Sequence, residues 1–233
     1  MENERRRFLA ATAALGLGAL ATTTGPVCGE DKKDEKKGEP EEVGAAEDLM
    51  REHGVLNRIL LIYEEGLRRL RDKEEVTPDV FHKPATLVRK FVEDYHERLE
   101  EKFIFPEFEK AKKLAELVKV LREQHEAGRK VTDVILRNAV ADQFRKEEAR
   151  KELIVSCRGF IRMYRPHEAR EDTVLFPALH TVISAKQIKE LGEQFEKEED
   201  RLFGEEGFEK TVDQVANIEK QLGIYDLAQF TAK

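Results

Sequence analysis

HERLEEKFIFP at residues 96–106 and HEAREDTVLFP at residues 167–177 are one eleven-residue phrase written twice. In each copy a histidine is followed four residues later by a glutamate, His96 with Glu100 and His167 with Glu171, and the phrase closes on Phe-Pro. Four residues of α-helix turn a side chain by about 40° from its starting direction, so each histidine and its glutamate leave the helix from one face. An imidazole nitrogen beside a carboxylate oxygen is a donor pair suited to a non-haem transition metal such as iron. Spacing alone would be weak, because the chain is rich in Glu. The register is stronger: His96 and His167, Glu100 and Glu171, Phe105 and Phe176, and Pro106 and Pro177 are all 71 residues apart. That points to a duplicated unit.

Two further histidines extend the duplication. His53 in LMREHGVL and His125 in VLREQHEAG are 72 residues apart, and they precede His96 and His167 by 43 and 42 residues. Apolar residues around them recur at helical spacing. Leu49, Leu56, Leu60 and Tyr63 mark a first helix from Ala46 to about Arg71, and Val88, Val92, Leu99 and Phe103 a second from about Pro84 to Phe105. Leu114, Leu117, Leu121, Val131 and Ile135 mark a third from Ala111 to about Ala141; Leu153, Phe160, Met163 and Tyr164 mark a fourth from about Glu147 to Val174. Four long amphipathic helices on short connections predict an all-α, up-down-up-down four-helix bundle over residues 46–183. Its two hairpins each carry one lone histidine and one His/Glu pair. Pro166 is expected to bend the fourth helix, and each Phe-Pro to end its helix. After residue 183, helices from about Ser184 and from Glu209 to Leu222, broken at Gly204 and Gly207, form a C-terminal helical extension over 184–233.

The predicted ligands are His53, His96, Glu100, His125, His167 and Glu171. Glu97, Glu101, Glu168 and Asp172 are adjacent alternatives, but a five-residue step turns about 140° from its histidine. Glu97 or Asp172 could add a ligand where a helix is distorted. Glu100 and Glu171 lie on apolar stripes, where an unpaired charge would cost several kcal/mol, so they must be paired or metal-bound. His82 and His180 have no carboxylate at ligand spacing and read as surface residues. Tyr95 and Tyr164 adjoin the site helices, as core residues or as redox partners.

The chain's 233 residues are 38% charged and carry a formal charge of −7, with acids and bases interleaved. No basic stripe awaits a phosphate backbone, so nucleic acid is not an expected partner. Two cysteines, Cys28 and Cys157, cannot build a disulfide framework or a thiolate cage. Arg5-Arg6-Arg7-Phe8-Leu9 followed by an apolar run from Ala10 to Ala21 reads as a signal peptide within residues 1–28, with cleavage after Ala21 a plausible outcome. It resembles a twin-arginine export signal, which implies a bacterial protein exported to the periplasm. The membrane would then be a partner only during export, or through lipidation at Cys28. Residues 29–45 read as a flexible linker.

The motif order, with H-x3-E running into Phe-Pro, resembles the hemerythrin-like HHE cation-binding domain over about residues 46–183. That resemblance implies two iron ions, each held by two histidines, with Glu100 and Glu171 bridging. His53, His96 and Glu100 would come from one hairpin and His125, His167 and Glu171 from the other. Oxygen-carrying members have a second histidine four residues after the first on the third helix, and here Arg129 stands in that position. The four-histidine, two-glutamate set is closer to relatives implicated in iron sensing, nitric oxide chemistry or iron-sulfur repair. The expectation is an exported non-haem di-iron protein that binds oxygen, peroxide or nitric oxide, or handles iron. The alternative is a di-iron enzyme acting on peroxide, nitric oxide or ferrous iron, although no dedicated proton donor is recognisable. Iron rests on the resemblance; manganese or zinc suits the same donors.

Overall fold

The computed structural model describes residues 44–232, so the expected signal peptide and most of the expected linker lie outside the described residues. Among the described residues every regular element is helical. Helix α1 is Ala45–Asp72. Helix α2 is a continuous rod over 79–111, in which α-helical Asp79–Leu87, Glu97–Leu99 and Phe105–Ala111 alternate with wide π-helical turns at Val88–His96 and Glu100–Ile104. Helix α3 is Ala115–Asn138 and α4 the short Ala141–Phe144. Helix α5 covers 147–178, as α-helical Glu147–Arg170, a π turn at Glu171–Leu175, and Phe176–Ala178. Helices α6, Ala185–Phe203, and α7, Gly207–Leu222, follow, with short 3-10 turns at Leu179–Thr181 and Leu227–Phe230.

Helices α1, α2, α3 and α5 form the expected up-down-up-down bundle, with α3 packed along α5 and α1 along α2 and α5. The expected apolar stripes are its core. Leu49, Leu56, Leu60 and Tyr63 of α1 are buried against Phe81, Val88, Val92, Leu121, Leu153 and Phe160. Each such side chain contributes roughly 1.5–3 kcal/mol by leaving water. Tyr63 meets Phe160 edge-on at 5.8 Å, and Cys157 is a fully buried small core residue. The C-terminal extension lies on α1 and the start of α2. Ser184 opens α6 through a reciprocal capping box with Gln187, and the Arg58 guanidinium ties α1 to Glu219 of α7.

Two expectations about helix boundaries are corrected. The second rod begins at Asp79, a turn and a half before Pro84, which lies inside the helix and forgoes the bond its N–H would have made to the Val80 carbonyl. The Phe-Pro pairs do not end their helices: α2 continues to Ala111 and α5 to Ala178. Each proline follows a π turn and opens the next α-helical segment, where an N–H is not required. Pro166 lies within α-helix that runs to Arg170, and departure from α winding begins at Glu171.

Candidate metal centre

All six expected ligand residues are buried and converge at mid-bundle. Helix α1 supplies His53, α2 supplies His96 and Glu100, α3 supplies His125, and α5 supplies His167 and Glu171. The rings of His53 and His96 lie 4.7 Å apart and those of His125 and His167 5.0 Å apart, so the imidazoles form two pairs, one per hairpin. The carboxylates join the pairs. Glu100 Oε2 is 3.6 Å from His96 Nε2 and 3.5 Å from His125 Nε2; Glu171 Oε2 is 3.1 Å from His167 Nε2 and 3.4 Å from His53 Nε2. Each glutamate thus faces one histidine of its own hairpin and one of the other. The π turn starts at the carboxylate in both copies, Glu100–Ile104 and Glu171–Leu175, a kind of helical irregularity that is frequent at functional sites.

The outer ring of partners obeys the same duplication. His96 Nδ1 meets Glu52 Oε2 at 2.7 Å and His167 Nδ1 meets Gln124 Oε1 at 2.8 Å, each acceptor preceding the lone histidine of its hairpin. His125 Nδ1 meets Glu101 Oε1 at 3.2 Å and His53 Nδ1 meets Asp172 Oδ1 at 2.7 Å, each acceptor crossing from the other hairpin. Phe105 stacks on His125 at 5.5 Å and Phe176 on His53 at 5.6 Å, so the Phe-Pro elements pack directly on the histidines.

An acceptor at every Nδ1 places the ring proton there and leaves the Nε2 lone pair facing the centre. Four such lone pairs confront two carboxylates in which neither oxygen accepts a hydrogen bond, and His125 Nε2 and His167 Nε2 are only 3.2 Å apart. With every Nε2 unprotonated such a cluster of donors is self-repelling, and without metal the protons favoured on His53 and Glu100 relieve part of that repulsion. The donor set therefore fits a pair of divalent transition-metal ions, with His53, His96 and Glu100 in reach of one and His125, His167 and Glu171 in reach of the other.

The electrostatics carry the same strain. Burial, followed by the charge of Glu171, pushes Glu100 well above the usual carboxylate range. Burial would raise Glu171 too, but His167 and His53 outweigh it and hold Glu171 below its ordinary value. Burial depresses His96 well below the usual imidazole value and lowers His125 to about 4. His53 goes the other way: burial opposes its charge, yet Asp172 and Glu171 raise it to about 10.

A third set of donors, Glu97, Glu101 and His125, lies beside the centre, and a guanidinium already occupies it. Arg129 Nη2 is 2.8 Å from Glu97 and 2.6 Å from Glu101, and Tyr164 Oη donates to Glu97 at 2.6 Å. Burial works against Glu101's charge, but His125 and Arg129 overcome it and lower the carboxyl to about 2. The duplicated counterpart is neutral: Asn57 donates to Glu168. Thus Glu97 and Asp172, the possible extra ligands, face Arg129 and Tyr164 in one case and His53 Nδ1 in the other. His180 is exposed, and His82 is half-buried away from the cluster.

The sequence model of the hemerythrin HHE cation-binding domain matches residues 44–179, more than half of the chain. The protein belongs to that family. Uncharacterized proteins Rv1995 of Mycobacterium tuberculosis and Mb2018 of Mycobacterium bovis are each 48% identical to it over 230 residues, spanning 97% of this chain and 90% of theirs. No solved structure matches the chain.

Within this hemerythrin domain, reading the sequence overlooked Glu52, Gln124 and Glu101 as orienting partners of the histidines. The repeat contained a signal for them: a polar residue precedes His53 and His125, and an acid follows Glu100 and Glu171. The roles of Asn57 and Arg129, each four residues after a lone histidine, carried the same register.

Proposed function

We propose that the protein is an exported non-haem di-iron protein that binds oxygen or a related small ligand, such as peroxide or nitric oxide, or handles iron. The observation that carries this reading is the convergence of four imidazole lone pairs on two carboxylates that each face both hairpins. An all-nitrogen and oxygen donor set without thiolate suits iron, and two imidazoles per ion leave coordination positions for a small ligand. Bound iron would supply reversible ligand binding or electron transfer. The chain's own residues orient the imidazoles through Nδ1 and exclude water by burial. Arg129 fills the place where a further ligand would stand, which favours a symmetric two-histidine environment at each ion.

Metal analysis and an optical spectrum of purified protein under anaerobic, oxygenated and peroxide-treated conditions test this reading. Two irons per chain are expected, with loss of both in His96→Ala plus His167→Ala. Metal content unchanged by that double substitution would sink it.

A di-iron enzyme acting on peroxide, nitric oxide or ferrous iron is the second reading, favoured by Tyr164, whose ring lies 5.5 Å from His167 while its hydroxyl is held by Glu97. Multiple turnovers abolished by Glu100→Ala would select it. Export is supported by the twin-arginine-like residues 5–9, and a full-length chain found only in the cytoplasm on cell fractionation would remove it.

A further inference from the structure

Away from the metal centre, a groove of about 360 Å³ runs between α1 and α5. Its walls carry Arg68 and Arg71 from α1 and Arg158, Arg162 and Arg165 from α5, against a single acid, Glu64. The spacing explains the concentration, since residues three and four apart on each helix share a face. In a protein of net charge −7, five guanidinium groups in one groove are a local concentration of cations, offset by the acids that pair with three of them.

The cations are not equally engaged. Arg165 pairs with Glu64 across the groove at 2.7 Å, Arg68 is held by Glu65, Asp72 and Glu74, and Arg71 by Asp72. Arg158 and Arg162 are exposed and have no carboxylate partner among the described residues. They stand one turn apart as like charges, a mutually repelling arrangement on a helix surface. We propose that this groove binds a multiply charged phosphate-type oxyanion, with Arg158 and Arg162 as its primary contacts. A guanidinium presents parallel N–H donors that match two oxygens of a phosphate, and two such forks on adjacent turns suit an anion with several charged oxygens. The volume falls in the range of small-molecule sites. Free oligophosphate and a phosphorylated lipid headgroup share this chemistry. Leu61 and Val155 are the exposed large apolar side chains on these two helices, single residues rather than a patch, which favours the soluble source. The site is independent of which metal the bundle holds.

Calorimetric titration of the full-length protein, as isolated with its metal, with sodium tripolyphosphate provides the test. One saturable site is expected, weakening as salt is raised. Arg158→Gln plus Arg162→Gln should weaken it by at least about tenfold, because two charge-assisted contacts are lost. Lys186→Gln plus Arg201→Gln, which removes the same charge from α6, should leave it within about twofold. Helical circular dichroism confirms that both exposed double variants fold. Co-sedimentation with phosphatidylcholine vesicles containing phosphatidylinositol phosphate, lost in the Arg158/Arg162 variant and without tripolyphosphate binding, would support the site and assign it to the lipid source. Absence of saturable binding to either probe overturns the proposal. So does equal weakening in both double variants, or heat that persists undiminished in the Arg158/Arg162 variant, as extraction of metal by the probe would give.

Discussion

Arg129 is the single residue that most separates this centre from the arrangement its sequence resembles. Its guanidinium sits between Glu97 and Glu101 at 2.8 and 2.6 Å, and Glu101 in turn meets His125 Nδ1. The positive charge that a metal would bring to this corner is therefore built into the chain. Removing it while keeping the apolar stem, as in Arg129→Met, leaves two acids in a largely buried place. Loss of one partner of a fully buried ion pair costs roughly 3–5 kcal/mol, and the part of Arg129 that water reaches reduces the expected cost to about 2–3 kcal/mol. Urea unfolding measures it; Arg129→Lys should recover part, and an unchanged midpoint in Arg129→Met would show that the clamp contributes nothing. The two His/Glu pairs at the centre were legible in the sequence because a helix places i and i+4 together by its own geometry, and the repeat register added His53 and His125. Their orienting partners were not, since Glu101 and Asp172 reach histidines of the opposite hairpin, across a distance that only packing sets.

Among the elements, α3 packs tightly on α5 at Gly128. A β-carbon built there would lie 2.0 Å from the Tyr164 hydroxyl and 2.8 Å from its ring carbon Cζ. Glycine is required by that close approach, not by backbone conformation. Gly128→Ala should displace Tyr164, break its bond to Glu97 and destabilise the protein by about 1–3 kcal/mol, the usual range for overpacking. Metal content should survive, because none of the six central residues moves first; a melting temperature equal to wild type would show that Tyr164 relocates without cost. Helix existence and core faces were readable from periodicity in all four bundle helices. The π turns were not, and they explain why the Phe-Pro pairs fail to stop α2 and α5. A widened turn removes the conflict between proline and the preceding carbonyls, and no hydrophobic pattern reports it.

Taken as a whole, the metal-free protein buries more ionisable groups than it can neutralise, and this sets its response to pH. Burial raises Glu52, Glu97 and Glu168 to about 8, while Tyr95, Arg129 and His53, respectively, act against that rise. In the unfolded chain these carboxyls lose their protons near 4.5, so folding favours the protonated form, and that contribution fades as pH rises toward about 8. His53, raised to about 10, works in the same direction as pH rises through 6.5, where an unfolded histidine loses its proton. His96 and His125 are depressed, so their opposite effect is halved at pH 6.5 and gone by about pH 7.5, too small to offset the three carboxyls. Chelator-treated protein should therefore melt at progressively lower temperature from pH 6.5 to 8. Metal-loaded protein should show a flatter or reversed trend, because metal binding strengthens as protons leave the ligands. Parallel thermal melts decide this; a Tm of the metal-free form that climbs across the same window would contradict it.

By itself the sequence determined the helices, the duplication and the six residues at the centre, since these follow from local helical geometry and from a register that survives along the chain. Tertiary structure alone decided which histidine each carboxylate shares, which acid orients each imidazole, and that Arg129 fills the third donor set. Those contacts join side chains from different helices. Their directions depend on how two hairpins pack and where their turns widen, information that no single helix contains.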